Sequence, residues 1–188
     1  MSDIATSLNG ASFEGITRVE EMRAQGMITL RGDFADPAFV SAVTGLVEAD
    51  MPGQRQISTG AERSILWMSP DELMVLCTYA EAPILEAKLR DALADQHALV
   101  ANVSDARACF ELVGGDLREV LAKLAPVDMS PEAFAVGDLR RTRLAQVAGA
   151  FWLSSEDKAQ VVCFRSVGEY MFNLLKTAAQ PGSKVGFL

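Results

Sequence analysis

The chain has 188 residues, 49% of them hydrophobic and 22% charged, and its 17 Lys and Arg against 25 Asp and Glu leave a formal net charge of −8. This profile excludes a disordered tail, a collagen-like repeat and a disulfide-dense miniature fold, and a chain of this length can bury one large core or two compact lobes. The acidity argues against nucleic acid and anionic membrane as partners, since a polyanion must be met by concentrated positive charge.

Residues 1–15, rich in Ser, Asn, Ala and Gly, read as a flexible lead-in. Met27-Ile-Thr-Leu30 reads as a strand. Asp36 then suits a helix N-cap and Pro37 the first helical position, where a missing N–H costs nothing. Phe39, Val43, Leu46 and Val47 form one apolar stripe on that helix, and Met51-Pro-Gly53 ends it. Strands follow near 54–59, 63–68 and 72–78, the last two joined by the tight turn Ser69-Pro70-Asp71. A helix near 81–94 aligns Leu85, Leu89, Ala92 and Leu93. His97–Val103 and Arg107–Val113 read as strands about a Ser104-Asp105 turn.

Gly114-Gly115-Asp116 opens another helix, with Asp116 placed as its cap and Leu117, Val120, Leu121 and Leu124 as its buried stripe. Pro126 and Pro131 mark an irregular link. Strands near 139–146, 149–154 and 159–165 precede a final helix from Ser166 to about Ala178, which aligns Val167, Tyr170, Met171, Leu174 and Leu175. Strands that follow one another directly cannot all be parallel, because a parallel pair needs a crossover. The expected fold class is α+β, with mostly antiparallel sheets and helices packed on them. The expected division is a lead-in over 1–15, a first α+β unit over 16–104, a second over 105–180 and a tail over 181–188, the two units making one compact subunit.

No apolar run approaches the ~18–20 residues that span a bilayer, and the start has neither the basic nor the apolar region of a signal peptide. Cys77, Cys109 and Cys163 lie far apart within apolar runs and read as buried free thiols, which with the missing leader points to the cytoplasm. The glycines form neither a dinucleotide fingerprint nor a P-loop, and there is no G-x-S-x-G elbow. His97, the single histidine, reads as a surface residue, and with three scattered cysteines it makes no zinc site. Arg107 and Arg165, each two residues from a cysteine, are the cations that would activate a thiol, though inert core thiols fit the context better. Trp67 and Trp152 read as core. No catalytic, cofactor-binding or metal-binding residue is expected in this chain. The dense basic patch, Arg140, Arg141 and Arg143 on one strand, is the candidate partner-binding site. Its alternative is a set of charges that keeps an edge strand from pairing.

Several segments, in order, carry a family resemblance: Trp67-Met-Ser-Pro-Asp-Glu-Leu-Met-Val-Leu76, Asn102-Val-Ser-Asp-Ala-Arg107, Phe110-Glu-Leu-Val-Gly-Gly-Asp-Leu-Arg-Glu-Val-Leu121, Gly137-Asp-Leu-Arg-Arg-Thr-Arg-Leu-Ala145 and Arg165-Ser-Val-Gly-Glu-Tyr-Met-Phe-Asn-Leu-Leu175. Over about residues 60–178 the chain resembles the gamma subunit of heterotetrameric sarcosine oxidase. The resemblance implies a fold like the folate-binding domain of aminomethyltransferases and a non-catalytic place beside alpha, beta and delta subunits. It also implies that the whole enzyme demethylates sarcosine to glycine and hydrogen peroxide and passes the one-carbon unit to tetrahydrofolate. FAD, FMN, NAD and zinc would then sit in the partner subunits, with none held here. The alternatives are an aminomethyltransferase-like protein that itself binds a folate, with Asp105 and Glu111 as candidate carboxylates, and a free-standing adaptor.

Overall fold

The computed structural model describes residues 5–186. The chain runs through strands β1 (Ser12–Phe13), β2 (Arg18–Glu21) and β3 (Gln25–Arg31), helix α1 (Pro37–Val47), β4 (Ile57–Thr59), β5 (Ser64–Ser69), β6 (Glu72–Thr78), α2 (Ala82–Ala92) and β7 (Leu99–Asn102). After a 3-10 turn at Ser104–Ala106 come β8 (Arg107–Val113), α3 (Leu117–Ala122), β9 (Leu139–Leu144), β10 (Val147–Ser155), β11 (Lys158–Phe164) and α4 (Gly168–Ala178). All strand pairings among the described residues are antiparallel. The fold is therefore α+β, with helices packed on antiparallel sheets.

One unit is Gln25–Ser104, and the other joins the residues before Gln25 to those after Ser104. The Gln25–Ser104 unit holds the five-stranded sheet β4-β5-β6-β3-β7. Alternate side chains of β3 and β6, Ile28, Leu30, Leu73 and Val75, meet Phe39 and Val43 of α1 and Leu85 and Leu89 of α2 in one core. Asp36 caps α1, its carboxylate accepting from the Ala38 N–H at 2.8 Å, and Pro37 fills the first turn. The opposite face of the sheet is also apolar: Met27, Leu66, Met74 and Leu76 are buried. Near-continuous apolar runs such as Leu73–Cys77 follow from this two-sided burial.

The second unit holds the six-stranded sheet β1-β2-β8-β11-β10-β9. Its core gathers Val19, Phe110, Leu112, Val161, Phe151 and Leu153 from the strands, with Leu117 and Leu121 of α3 and Met171 and Leu175 of α4. This division differs from the boundaries at 16–104 and 105–180 expected from the sequence. Residues 18–21 form a strand paired with β8, Glu21 lying opposite Phe110, so they belong with the segment beyond residue 105.

The expectation of a loose lead-in over 1–15 is likewise corrected for its described part; Met1–Ile4 lie outside the described residues. Ser12 and Phe13 pair with β2. Residues 6–10 wrap Glu21, which is 7% exposed. Its carboxylate accepts from the Thr6 hydroxyl at 2.6 Å, the Ser7 hydroxyl at 2.5 Å, and the N–H groups of Leu8 at 3.0 Å and Gly10 at 2.9 Å. A carboxylate this enclosed is tolerable only when it is so fully bonded. At the other end, residues 181–186 of the expected tail lie against α3. Asp116 makes no capping hydrogen bond; its carboxylate pairs instead with Lys184 at 2.5 Å. The last helix begins later than expected, a 3-10 turn at Arg165–Val167 leading into α4.

Burial opposes the ionisation of Glu21, but the hydrogen bonds from Ser7, Thr6, Gly10 and Leu8 outweigh it and hold the carboxyl below its ordinary 4.5. A depressed carboxylate stabilises the fold fully above the unfolded pKa, and this contribution is lost as pH falls through the folded value. Glu21→Gln, which removes a charged acceptor of several bonds, is expected to destabilise the second unit by about 1–3 kcal/mol at pH 7. The penalty should begin to fade in denaturant melts taken below pH 4.5, where the carboxyl of the unfolded chain protonates, and should be gone once the pH has fallen past the lowered folded value.

Candidate functional site

The basic patch falls on β9, which among the described residues is an edge strand paired only with β10. Strand parity divides it. Arg141 stands opposite Ala150 and Arg143 opposite Ala148, so both lie on the sheet face that also carries Trp152. Both are exposed. Two residues apart on one strand face, they stand roughly 7 Å from each other, a spacing that suits acceptance of two carboxylates. Arg143 donates to the Gln146 carbonyl at 3.2 Å and the Gln146 side chain at 3.3 Å, which steadies it beside the turn.

Arg140 lies on the other face. Its guanidinium sits 5.0 Å from the Phe134 ring centroid and donates to the Leu139 carbonyl at 2.9 Å and the Ala133 carbonyl at 3.2 Å. Half-buried and bonded inward, it holds β9 to the preceding segment and does not share the exposed pair's surface.

The face of Arg141 and Arg143 continues across the sheet in a ladder row. Trp152 stands opposite Gln160, Gln160 opposite Glu111, and Glu111 opposite Glu20. The row runs from an indole through an amide to two carboxylates, and Arg18 pairs with Glu20 at 2.6 Å. Glu111, a candidate carboxylate, sits within this row, whereas Asp105 lies exposed in the 3-10 turn after β7. Sequence patterning alone did not align these residues, because their register is set by four separate strands.

On the Gln25–Ser104 unit a cleft of about 170 Å³ opens by α1 and α2, lined by Leu46, Leu85 and Ile84 with Arg63, Glu81 and Lys88. Arg63 donates to Glu81 at 2.5 Å and to the Leu46 carbonyl at 3.1 Å. The hydrogen bond from Arg63, then that from Thr78, holds the Glu81 carboxyl below its usual range. The cleft's central charges are thus spent on each other.

His97 is exposed where α2 hands over to β7. Trp152 is buried within the six-stranded sheet and Trp67 half-buried in β5, each in its own unit. The three cysteines are free and buried. Cys109 stands opposite Val162 and Cys163 opposite Ala108, so the two thiols project from opposite sheet faces and cannot join. Arg107 stacks on its cross-strand partner Phe164, 4.1 Å from the ring centroid, and Arg165 donates to the Ala5 carbonyl at 2.8 Å. Among the described residues no three His, Cys, Asp or Glu are grouped to hold a metal, and no helix is long and apolar enough to cross a membrane.

The two antiparallel α+β units define an α+β fold that solved structures of aminomethyltransferase and sarcosine oxidase share. Aminomethyltransferase T of the glycine cleavage system from Bartonella henselae superposes with a TM-score of 0.61 at 15% identity, covering 86% of this chain and 46% of that one. A chain of the heterotetrameric sarcosine oxidase from Corynebacterium sp. U-96, solved with pyrrole 2-carboxylate, superposes with a TM-score of 0.80 at 23% identity, covering 87% and 83%. The model of the sarcosine oxidase gamma subunit family matches residues 31–181, and the chain belongs to that family. Sarcosine oxidase subunit gamma of Corynebacterium sp. (strain P-1) is 26% identical over 174 residues, covering 92% of this chain and 84% of that protein. The subunit gamma of Arthrobacter sp. is 29% identical over 124 residues, covering 65% and 60%.

Burial, aided by the charge of Glu81, pushes the Cys77 thiol up to about 11. Burial raises Cys109 and Cys163 to about 12. Thiolate is the reactive form, so all three should resist a thiol reagent at pH 8 in the native chain and react within seconds once unfolded. Fast native labelling of Cys109 or Cys163, read by mass spectrometry, is the result that restores a redox role.

Proposed function

We propose that this chain is the non-catalytic gamma subunit of a heterotetrameric sarcosine oxidase, assembled with alpha, beta and delta subunits in the cytoplasm. The observation that carries this reading is the family match over residues 31–181, joined to the fold shared with the Corynebacterium enzyme. The complex would oxidatively demethylate sarcosine to glycine and hydrogen peroxide and pass the one-carbon unit to tetrahydrofolate. FAD, FMN, NAD and zinc would be held by the other subunits. Neither membrane nor nucleic acid enters this role, and the net charge of −8 suits neither.

The contact we assign to assembly is the exposed pair Arg141 and Arg143 on β9, facing an acidic partner surface. A second reading, folate binding by the chain itself, is supported by the row that brings Trp152, Gln160 and Glu111 onto one face. Titration with tetrahydrofolate separates the two: saturable quenching of tryptophan emission favours the second, and a flat response the first.

The assembly reading is tested by co-expressing the chain with the three other subunits of a sarcosine oxidase. Arg141→Glu combined with Arg143→Glu should slow association by about tenfold or more and should abolish the salt dependence of the wild-type rate, since exposed charges act mainly on encounter. The melting temperature of the isolated chain should move little, because exposed ion pairs contribute only ~0–1 kcal/mol. Assembly of the double variant at the wild-type rate would exclude β9 as the docking strand, and a wild-type chain that joins no complex would exclude the subunit reading itself.

A further inference from the structure

Helix α3 is only six residues long, yet both ends of β9 are fastened to it. Arg118, 9% exposed, donates from one guanidinium nitrogen to the Met129 carbonyl at 3.1 Å and the Phe134 carbonyl at 2.6 Å. Phe134 is the ring beneath Arg140, so this bond fixes the start of β9. At the far end the carbonyl of Leu124, two residues past α3, accepts from the Ala145 N–H at 2.8 Å. Ala145 opens the two-residue turn between Leu144 and Val147 with φ 49, a left-handed conformation that a non-glycine residue keeps only when its surroundings hold it there.

The other side of α3 is covered by the C-terminal segment. Asp116, Glu119 and Lys123, spaced i, i+3 and i+7, share one helix face. Lys184 pairs with Asp116, and Lys123 donates to the Ser183 carbonyl at 2.7 Å and the Ala178 carbonyl at 3.1 Å. The Glu119 carboxylate accepts from the backbone N–H groups of Val185 and of Gly186, the latter at 2.9 Å. Glu119 is 4% exposed, and without these two donors it would keep only Lys123 at 3.6 Å. A helix this short is not stable alone, so its orientation is dictated by what is bound to each face.

We infer that residues 181–186 are a strap that positions the β9 edge: seated on Asp116, Glu119 and Lys123, they fix α3, and α3 fixes the strand that presents Arg141 and Arg143. The strap is a positioning element that acts through α3. Its consequence for assembly rests on the docking role proposed for β9; the coupling from strap to strand does not.

Hydrogen exchange tests the coupling directly. In a chain ending at Gln180, the Ala145 amide should exchange about tenfold faster than in the full chain, while amides of β3 and β6 in the Gln25–Ser104 unit stay unchanged as the internal reference. A synthetic peptide of residues 181–188, added in excess, should restore the slow rate. Glu119→Gln in the full-length chain should shift Ala145 in the same direction, and this variant carries the test if the shortened chain does not fold. Unchanged Ala145 exchange in these chains overturns the strap. Faster exchange with an unaltered association rate to the other subunits upholds the strap and removes the docking role of β9. Normal exchange in the strap variants alongside failed assembly of the Arg141→Glu, Arg143→Glu chain does the reverse.

Discussion

The clasp between Met27 and Ser104 is the contact on which the rest of the architecture depends. Ser104, 9% exposed, accepts the Met27 N–H on its hydroxyl at 2.9 Å, and the Met27 carbonyl accepts from Val103 at 2.8 Å. Asn102 holds the serine in place, its side-chain oxygen accepting from the Ser104 hydroxyl at 2.6 Å. The clasp brings the two ends of the Gln25–Ser104 unit side by side. The other unit needs this, because β2 and β8 come from either side of that segment, with Glu21 opposite Phe110. Closing an open loop of about 90 residues costs about 4 kcal/mol in chain entropy. Once the Gln25–Ser104 unit has folded, its ends are already adjacent and most of that cost has been met. The sheet β1-β2-β8-β11-β10-β9 can then complete its core from two distant pieces of chain.

This dependence explains what the sequence hid. Helices α1 and α2 and the hairpin of β5 and β6 are local objects, marked by Asp36-Pro37, an apolar stripe and a Pro-Asp turn, and each is legible at its own position. Strand β2 is not local. Arg18-Val19-Glu20-Glu21 has one apolar residue and two carboxylates, and nothing in it foretells a central neighbour almost half the chain away. Glu21 is the sharpest case. Its charge argues for solvent, while its burial is made possible by Thr6, Ser7, Leu8 and Gly10, small and polar residues that by composition alone suggest slack. The ordering of family-like segments crossed this gap because it does not depend on local propensity, but it began near residue 60 and so left β2 unread.

The candidate site divides along a similar line. That Arg141 and Arg143 share a face, with Arg140 opposite, follows from the period of two in any strand. That Arg140 is drawn inward does not, since its seat is Phe134 at the end of an irregular link between Pro126 and β9. Most of the chain's net negative charge belongs to the Gln25–Ser104 segment, which holds five Lys and Arg against eleven Asp and Glu. The unit that carries β9 is close to neutral, so the potential of its basic edge is not swamped by its own surroundings.

An edge strand has to be protected from pairing, and charged side chains do this wherever they point. Protection alone therefore accounts for arginines on β9 but not for their arrangement. Three basic residues within four positions would serve equally well if all were loose in solvent. Here one lies half-buried over the Phe134 ring, two are aligned on a single face, and the turn beyond them is held in a left-handed conformation by a carbonyl just past α3. Fixing a side chain costs conformational entropy, which nothing in edge protection returns. In the docking role proposed for β9, a one-sided pair whose Arg143 is already tied to Gln146 has less freedom left to lose when a partner's carboxylates arrive. That order is what the docking role proposed for β9 accounts for and edge protection alone does not.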